Sequence, residues 1–260
     1  MTSERASRPA FFVVSVLLFA AATAATILWC GSMAAMDGMP MAGGWTMSMA
    51  WMRMPAQTWT AAAASFLGMW VAMMVAMMAP SLVPSLSRYR EAVGGRGEPR
   101  LGRRTALVGI GYFSVWTAIG LAAFVPGVAL SAIVMREPAL SRAVPYAAGA
   151  VVLIAGSLQL TAGKSRRLAC CRQAPGPLPA DAGTAWRHGV CLGLRCVRCC
   201  ANLMAILLAL GVMDLRVMAV VTAAISAERL APVGQPVARA IGLTAVAAGV
   251  FLLARAAGLG

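Results

Sequence analysis

Seven predominantly apolar stretches, 10–29, 59–79, 105–125, 145–163, 196–213, 216–232 and 237–256, dominate the chain. Each is close to the roughly 20 residues a helix needs to cross the hydrocarbon core of a bilayer. Lipid offers no hydrogen-bond partners, so backbone in such a stretch must satisfy itself, and apolar runs without alternation do so as helices. The predicted fold is all-α, a polytopic integral membrane helix bundle of about seven transmembrane helices. Six is the count if the short stretch 216–232 is a half-helix. Pro80 and Pro84 are expected to end the second span, and Pro126-Gly127 to kink or end the third before Arg136.

The composition agrees with this: 60% of residues are hydrophobic, 12% are charged, and the mean hydropathy is +0.79. Soluble domains carry far more surface charge. The net charge of +14 would fit nucleic acid if the bases formed a patch, but they gather in short segments between spans. Six arginines lie from Arg88 to Arg104 and five bases from Lys164 to Arg187, against Arg53, Arg136, Arg142 and Arg216 on the other side. This bias sets the N-terminus in the cytosol and makes the lipid bilayer, not nucleic acid, the partner of the charge. No composition break divides the chain, so 1–260 reads as a single integral membrane domain. It has a Met-rich outer loop at 30–58 and basic inner loops at 81–104 and 164–195. Ile27-Leu28-Trp29 before Cys30 lacks the small residue a lipoprotein-type cleavage site requires, so the first span is expected to stay uncleaved.

Sulfur is where the chemistry lies. Six of the seven cysteines fall between residues 170 and 200, on the side assigned to the reducing cytosol, where metal binding or redox work is favoured over structural disulfides. Cys196, Cys199 and Cys200 have helical spacings i, i+3 and i+4, which bring their sulfurs toward one centre, and Met204 follows one turn later. Arg195 and Arg198 flank the thiols at the expected mouth of the fifth span. Nearby cations and a helix N-terminus both favour the thiolate that binds metal. Cys170, Cys171, Cys191 and His188, the only histidine, are secondary candidates. Buried free thiols in an interface of small residues would give the same spacing without a ligand.

Methionine extends the pattern. Eight methionines fall in the 25 residues from Cys30 to Met54, among them Met33, Met36, Met39 and Met41. Thioether is neutral and soft, suited to Cu(I) in an oxidising compartment; as a flexible apolar filler it would suit a lipid-grazing loop equally. In the second span Met69, Met73 and Met77 form one ridge at i, i+4 and i+8, with Met74 and Met78 beside it. Span two runs inward and span five starts inside, so Met77 and Met78 lie at about the depth of the cysteines. Asp214 sits at an outer turn, and Glu228 beside Arg229 reads as local charge compensation.

Several of these segments resemble a known family. Leu158-Gln159-Leu160-Thr161-Ala-Gly-Lys164 followed by Cys171-Arg172 and Pro175 is similar to its Q-L-T-x-x-K…C-R-x-P element. Cys196-x-x-Cys199-Cys200 through Leu203-Met204, Gly211-Val-Met213-Asp214 and Met218 resembles C-x-x-C-C-x-x-L-M…G-V-M-[ND]-x-x-x-M, and Glu228-Arg229-Leu230 resembles E-[KR]-L. Met73-Met74-Val-Ala-Met77-Met78-Ala-Pro80-Ser81 is similar to its A-M-M-x-P-S element. The family is the bacterial one of uncharacterised, predicted metal-binding integral membrane proteins known as domain of unknown function 2182. The resemblance implies a helical protein of the bacterial cytoplasmic (inner) membrane with a metal site. Arg198 stands where Gly is usual and Ala201 where Trp is usual, and the family's histidine lies nearer the cysteines than His188 does.

The expected function is binding and handling of a soft metal ion, Cu(I) foremost and Zn(II) second, by transport, delivery or buffering. Its ligands would be Cys196, Cys199, Cys200, Met204, Met73, Met77 and Met78, with a metal-donor or metal-acceptor protein as partner. A thiol-redox membrane protein using Cys196 and Cys199, and a non-catalytic subunit of a partner complex, are the alternatives. No phosphate-binding Gly loop or catalytic constellation is present to make an enzyme.

Overall fold

The computed structural model describes residues 2–36, 38–54, 57–94, 100–172 and 181–258. It is an all-α bundle: α1 (Thr2–Ala34), α2 (Trp59–Gly94), α3 (Leu101–Arg136), α4 (Pro138–Gln159), α5 (Ala162–Arg172), α6 (Ala182–Leu210), α7 (Leu215–Leu230) and α8 (Gly234–Ala256). A two-stranded hairpin of β1 (Met39–Met41) and β2 (Trp45–Met47), then a 3-10 turn at Met49–Trp51, lies between α1 and α2. Six helices, all but α5 and α7, are long and apolar enough to cross a membrane. At 16 residues, α7 is about 24 Å long and falls short of a full span.

Neither the second nor the third helix ends at its prolines. The second helix continues through Pro80 and Pro84 to Gly94, because Leu82, Leu86, Tyr89 and Val93 beyond them recur at helical spacing and are all buried. Ser81 and Ser87 donate hydroxyl hydrogen bonds to the carbonyls of Met78 and Pro84 in the disturbed stretch. The third helix likewise runs through Pro126 to Arg136, where Ser131 and Val134 bury beyond the proline and Ser131 donates to the Val128 carbonyl. Lost helix bonds at a membrane-type proline are tolerated when packing and side chains compensate. Much of 164–195 is helical: Lys164 and Leu168, one turn apart, bury α5, and α6 starts at Ala182 with Asp181 accepting from the Thr184 amide at 2.7 Å.

Glycine sets the closest helix contacts. On α6, a Cβ at Gly189 would run into the backbone of Val108, and one at Gly193 would lie 2.9 Å from the Tyr112 carbonyl, so α6 presses directly on α3. Gly156 and Gly249 do the same between α4 and α8. Close approach through small residues is how helices associate where lipid removes the hydrophobic drive. The hairpin is tied to the start of α4 by Trp45 Nε1 donating to the Ser141 carbonyl (3.0 Å) and Ser141 Oγ to the Ala42 carbonyl (2.8 Å). The bundle therefore has a hairpin end and an opposite, basic end. Between them the core is built on α2, where Trp70 donates to the Trp116 carbonyl at 2.8 Å and five methionines, Met69, Met73, Met74, Met77 and Met78, are buried.

Candidate metal centre

The buried face of α6 carries Cys196, Cys199, Cys200, Leu203, Met204 and Leu207, the 3- and 4-residue spacing of one helical stripe. Because α6 begins about four turns before Cys196, the cluster lies inside the bundle. The expected contribution of a helix N-terminus therefore does not apply, since that effect fades within the first turn. Arg195 is half-buried and Arg198 exposed. The cation against the cysteines is instead Arg229 of α7, whose Nη1 donates to Cys196 Sγ at 3.2 Å and to Ser81 Oγ at 2.8 Å. Tyr112 of α3 donates its hydroxyl to the same sulfur at 3.0 Å.

Three soft donors meet here. Cys196 Sγ is 3.7 Å from Cys200 Sγ and 3.9 Å from Met78 Sδ on α2. A soft ion about 2.3 Å from each of three sulfurs in a plane separates those sulfurs by about 4.0 Å, and both separations from Cys196 are close to that. All three residues are buried. Among the described residues no three His, Cys, Asp or Glu side chains group to hold a metal; the third donor beside the thiol pair is a thioether.

Cys199 interacts with both Cys200 and Cys171 of α5, and the Cys171 thiol donates to the Arg195 carbonyl at 3.1 Å. The Cys199 thiol, and then burial, push the Cys171 thiol above the ordinary cysteine range. Lys164 donates to the Cys199 carbonyl (2.8 Å) and pairs with Glu228 (2.6 Å), both 2% exposed in their side chains. Gln159 donates to Glu228 and accepts from Asn202 at 3.2 Å. Glu228 of α7 thus pairs with Lys164 of α5, a partner the sequence reading did not name. A buried ion pair stays in place only when further hydrogen bonds satisfy it, as Gln159 and Cys199 do here.

Of the other candidates, Met204, Met73 and Met77 are buried on α6 and α2. Cys170 and Cys191 are exposed, and His188 stacks on Tyr89 with ring centroids 5.4 Å apart. Met36 is exposed, Met39 and Met41 form β1, and Met33 lines a cavity at the hairpin end. Two residues of the centre were missed from sequence, Tyr112 and Arg229. Arg229 had a signal, since Gln159, Lys164, Glu228 and Arg229 all stand in the quoted motif elements and all converge around the cysteines. Tyr112 had none.

A helical bundle with a buried thiol–thioether cluster defines a protein suited to a soft metal ion. The comparisons agree: the chain belongs to the PpoB2 family, described as copper chaperone, whose model matches residues 67–252. No curated protein and no solved structure matches it.

Proposed function

We propose that this copper-chaperone family member is an inner-membrane protein that holds Cu(I) as cargo between Cys196, Cys200 and Met78 and passes it to an acceptor protein. The observation that carries this is the group of three sulfurs centred on Cys196, with Cys200 at 3.7 Å and Met78 at 3.9 Å from it, walled in by four helices. Two thiolates around a monovalent ion leave one negative charge, and Arg229, already bonded to Cys196, supplies the balancing positive charge. Soft sulfur donors select Cu(I), whereas Zn(II) prefers four ligands in a tetrahedron, one more than these three sulfurs supply. Met73, Met74 and Met77 on the same helix are weaker stations along its length. The basic end, with the N-terminus, faces the cytosol.

The test is anaerobic Cu(I) loading of the purified protein against a chromophoric Cu(I) chelator. The wild type is expected to hold Cu(I) against the chelator, and Cys196→Ser/Cys200→Ser to lose that ion. Undiminished Cu(I) retention in the double variant would sink the assignment. X-ray absorption of the loaded wild type is expected to show an all-sulfur shell.

A further inference from the structure

At the hairpin end lies a cavity of about 60 Å³ that the copper-handling reading leaves unused. Its lining includes six methionines: Met33 from the end of α1, Met49, Met52 and Met54 from the segment before α2, Met69 from α2, and Met213 from the α6–α7 turn. Arg53, Gln57 and Ser65 also line it, and no Asp, Glu, His or Cys does among the described residues. Behind one wall the buried thiol of Cys30 donates to Met213 Sδ at 3.9 Å, the same separation as Cys196 and Met78.

The cavity is built, not a gap under a loose loop. Trp51 packs on Phe66 at 5.1 Å and occupies the space a Cβ at Gly127 would need. Arg53 donates to the Gln57 carbonyl (3.1 Å) and lies 5.2 Å over the Trp59 ring, while the Met54 amide donates to Gln57 Oε1 (3.2 Å). These contacts fix the methionine-bearing segment against the bundle and hold its one cation by its own neighbours.

We infer that this cavity is a second metal site, a thioether capture site for a soft monovalent cation, Cu(I) or its analogue Ag(I). With no carboxylate among the described lining residues, a hard divalent ion meets no anionic ligand, whereas neutral thioethers bind a soft monovalent ion without needing deprotonation. Four of the six methionines precede residue 67, outside the stretch the family model matches. Met69 is also the first residue of the α2 ridge, and Met78 follows it by about 14 Å along the helix axis. The site thus feeds the head of the ridge whose foot is the Cys196 centre. The inference takes its cargo from the copper reading, but the two sites fail separately.

Ag(I) titration of the purified protein, read by calorimetry, tests it in a background with all seven cysteines replaced by serine, which removes the deeper site and every competing thiol. One Ag(I) per chain is expected to remain. Adding M52L, M54L and M213L, which keep apolar volume but remove sulfur, is expected to weaken that binding at least about tenfold. Unchanged affinity in the leucine variant, or no Ag(I) bound in the cysteine variant, would overturn the site. Should the leucine variant not fold, methionine-methyl NMR of the cysteine variant decides. Ag(I)-dependent shifts of the Met52 and Met213 methyls support the site, and unmoved methyls overturn it.

Discussion

Cys196 is the residue on which the centre turns, because its sulfur receives a phenol and a guanidinium while touching a thiol and a thioether. Groups that orient and neutralise a ligand are worth about 10- to 100-fold in metal affinity. Arg229→Gln is therefore expected to weaken Cu(I) binding within that range in chelator competition, with the copper stoichiometry of the saturated protein unchanged. Equal affinity in the two proteins would remove Arg229 from the site. What sequence conveyed at this scale was the helical spacing of the thiols and the shared depth of Met78, both consequences of helix geometry. It did not convey which cation serves which anion. Glu228 and Arg229 adjoin in the chain, yet one side chain reaches Lys164 and the other Cys196. That choice depends on where α5 and α6 pack, which no local pattern encodes.

At the scale of elements, burial overrides local rules. Proline at 80, 84 and 126 reads as a stop, and each helix continues because the residues beyond it have a core to fill. The basic segment that contains α5 reads as a loop, since charge dilutes the apolar period; its helix is held by one buried lysine and one leucine. The contact most sensitive to change is between α3 and α6. Gly189→Val would drive a side chain into the Val108 backbone, forcing the helices apart and drawing Tyr112 from Cys196. Overpacking of this kind costs about 1–3 kcal/mol, so a lowered melting temperature together with weaker Cu(I) binding is expected. A variant as stable as wild type would mean that α6 does not rest on α3 there.

For the whole molecule, the two ends differ chemically. The basic end exposes Cys170 and Cys191 while Cys30, Cys196, Cys199 and Cys200 are buried. A membrane-impermeant maleimide is expected to label Cys170 and Cys191 in inverted vesicles and neither in right-side-out ones, read by mass spectrometry of the peptides. Labelling only in right-side-out vesicles would reverse the proposed orientation. The shortness of α7 adds a mechanical consequence. A helix of about 24 Å cannot fill a hydrocarbon film of about 30 Å, so lipid beside its end must thin or give way to water. That end carries Arg229, which touches Cys196. On the membrane reading, the hydrophobic mismatch brings the polar boundary toward Arg229, and so toward the thiol it touches, without any helix moving.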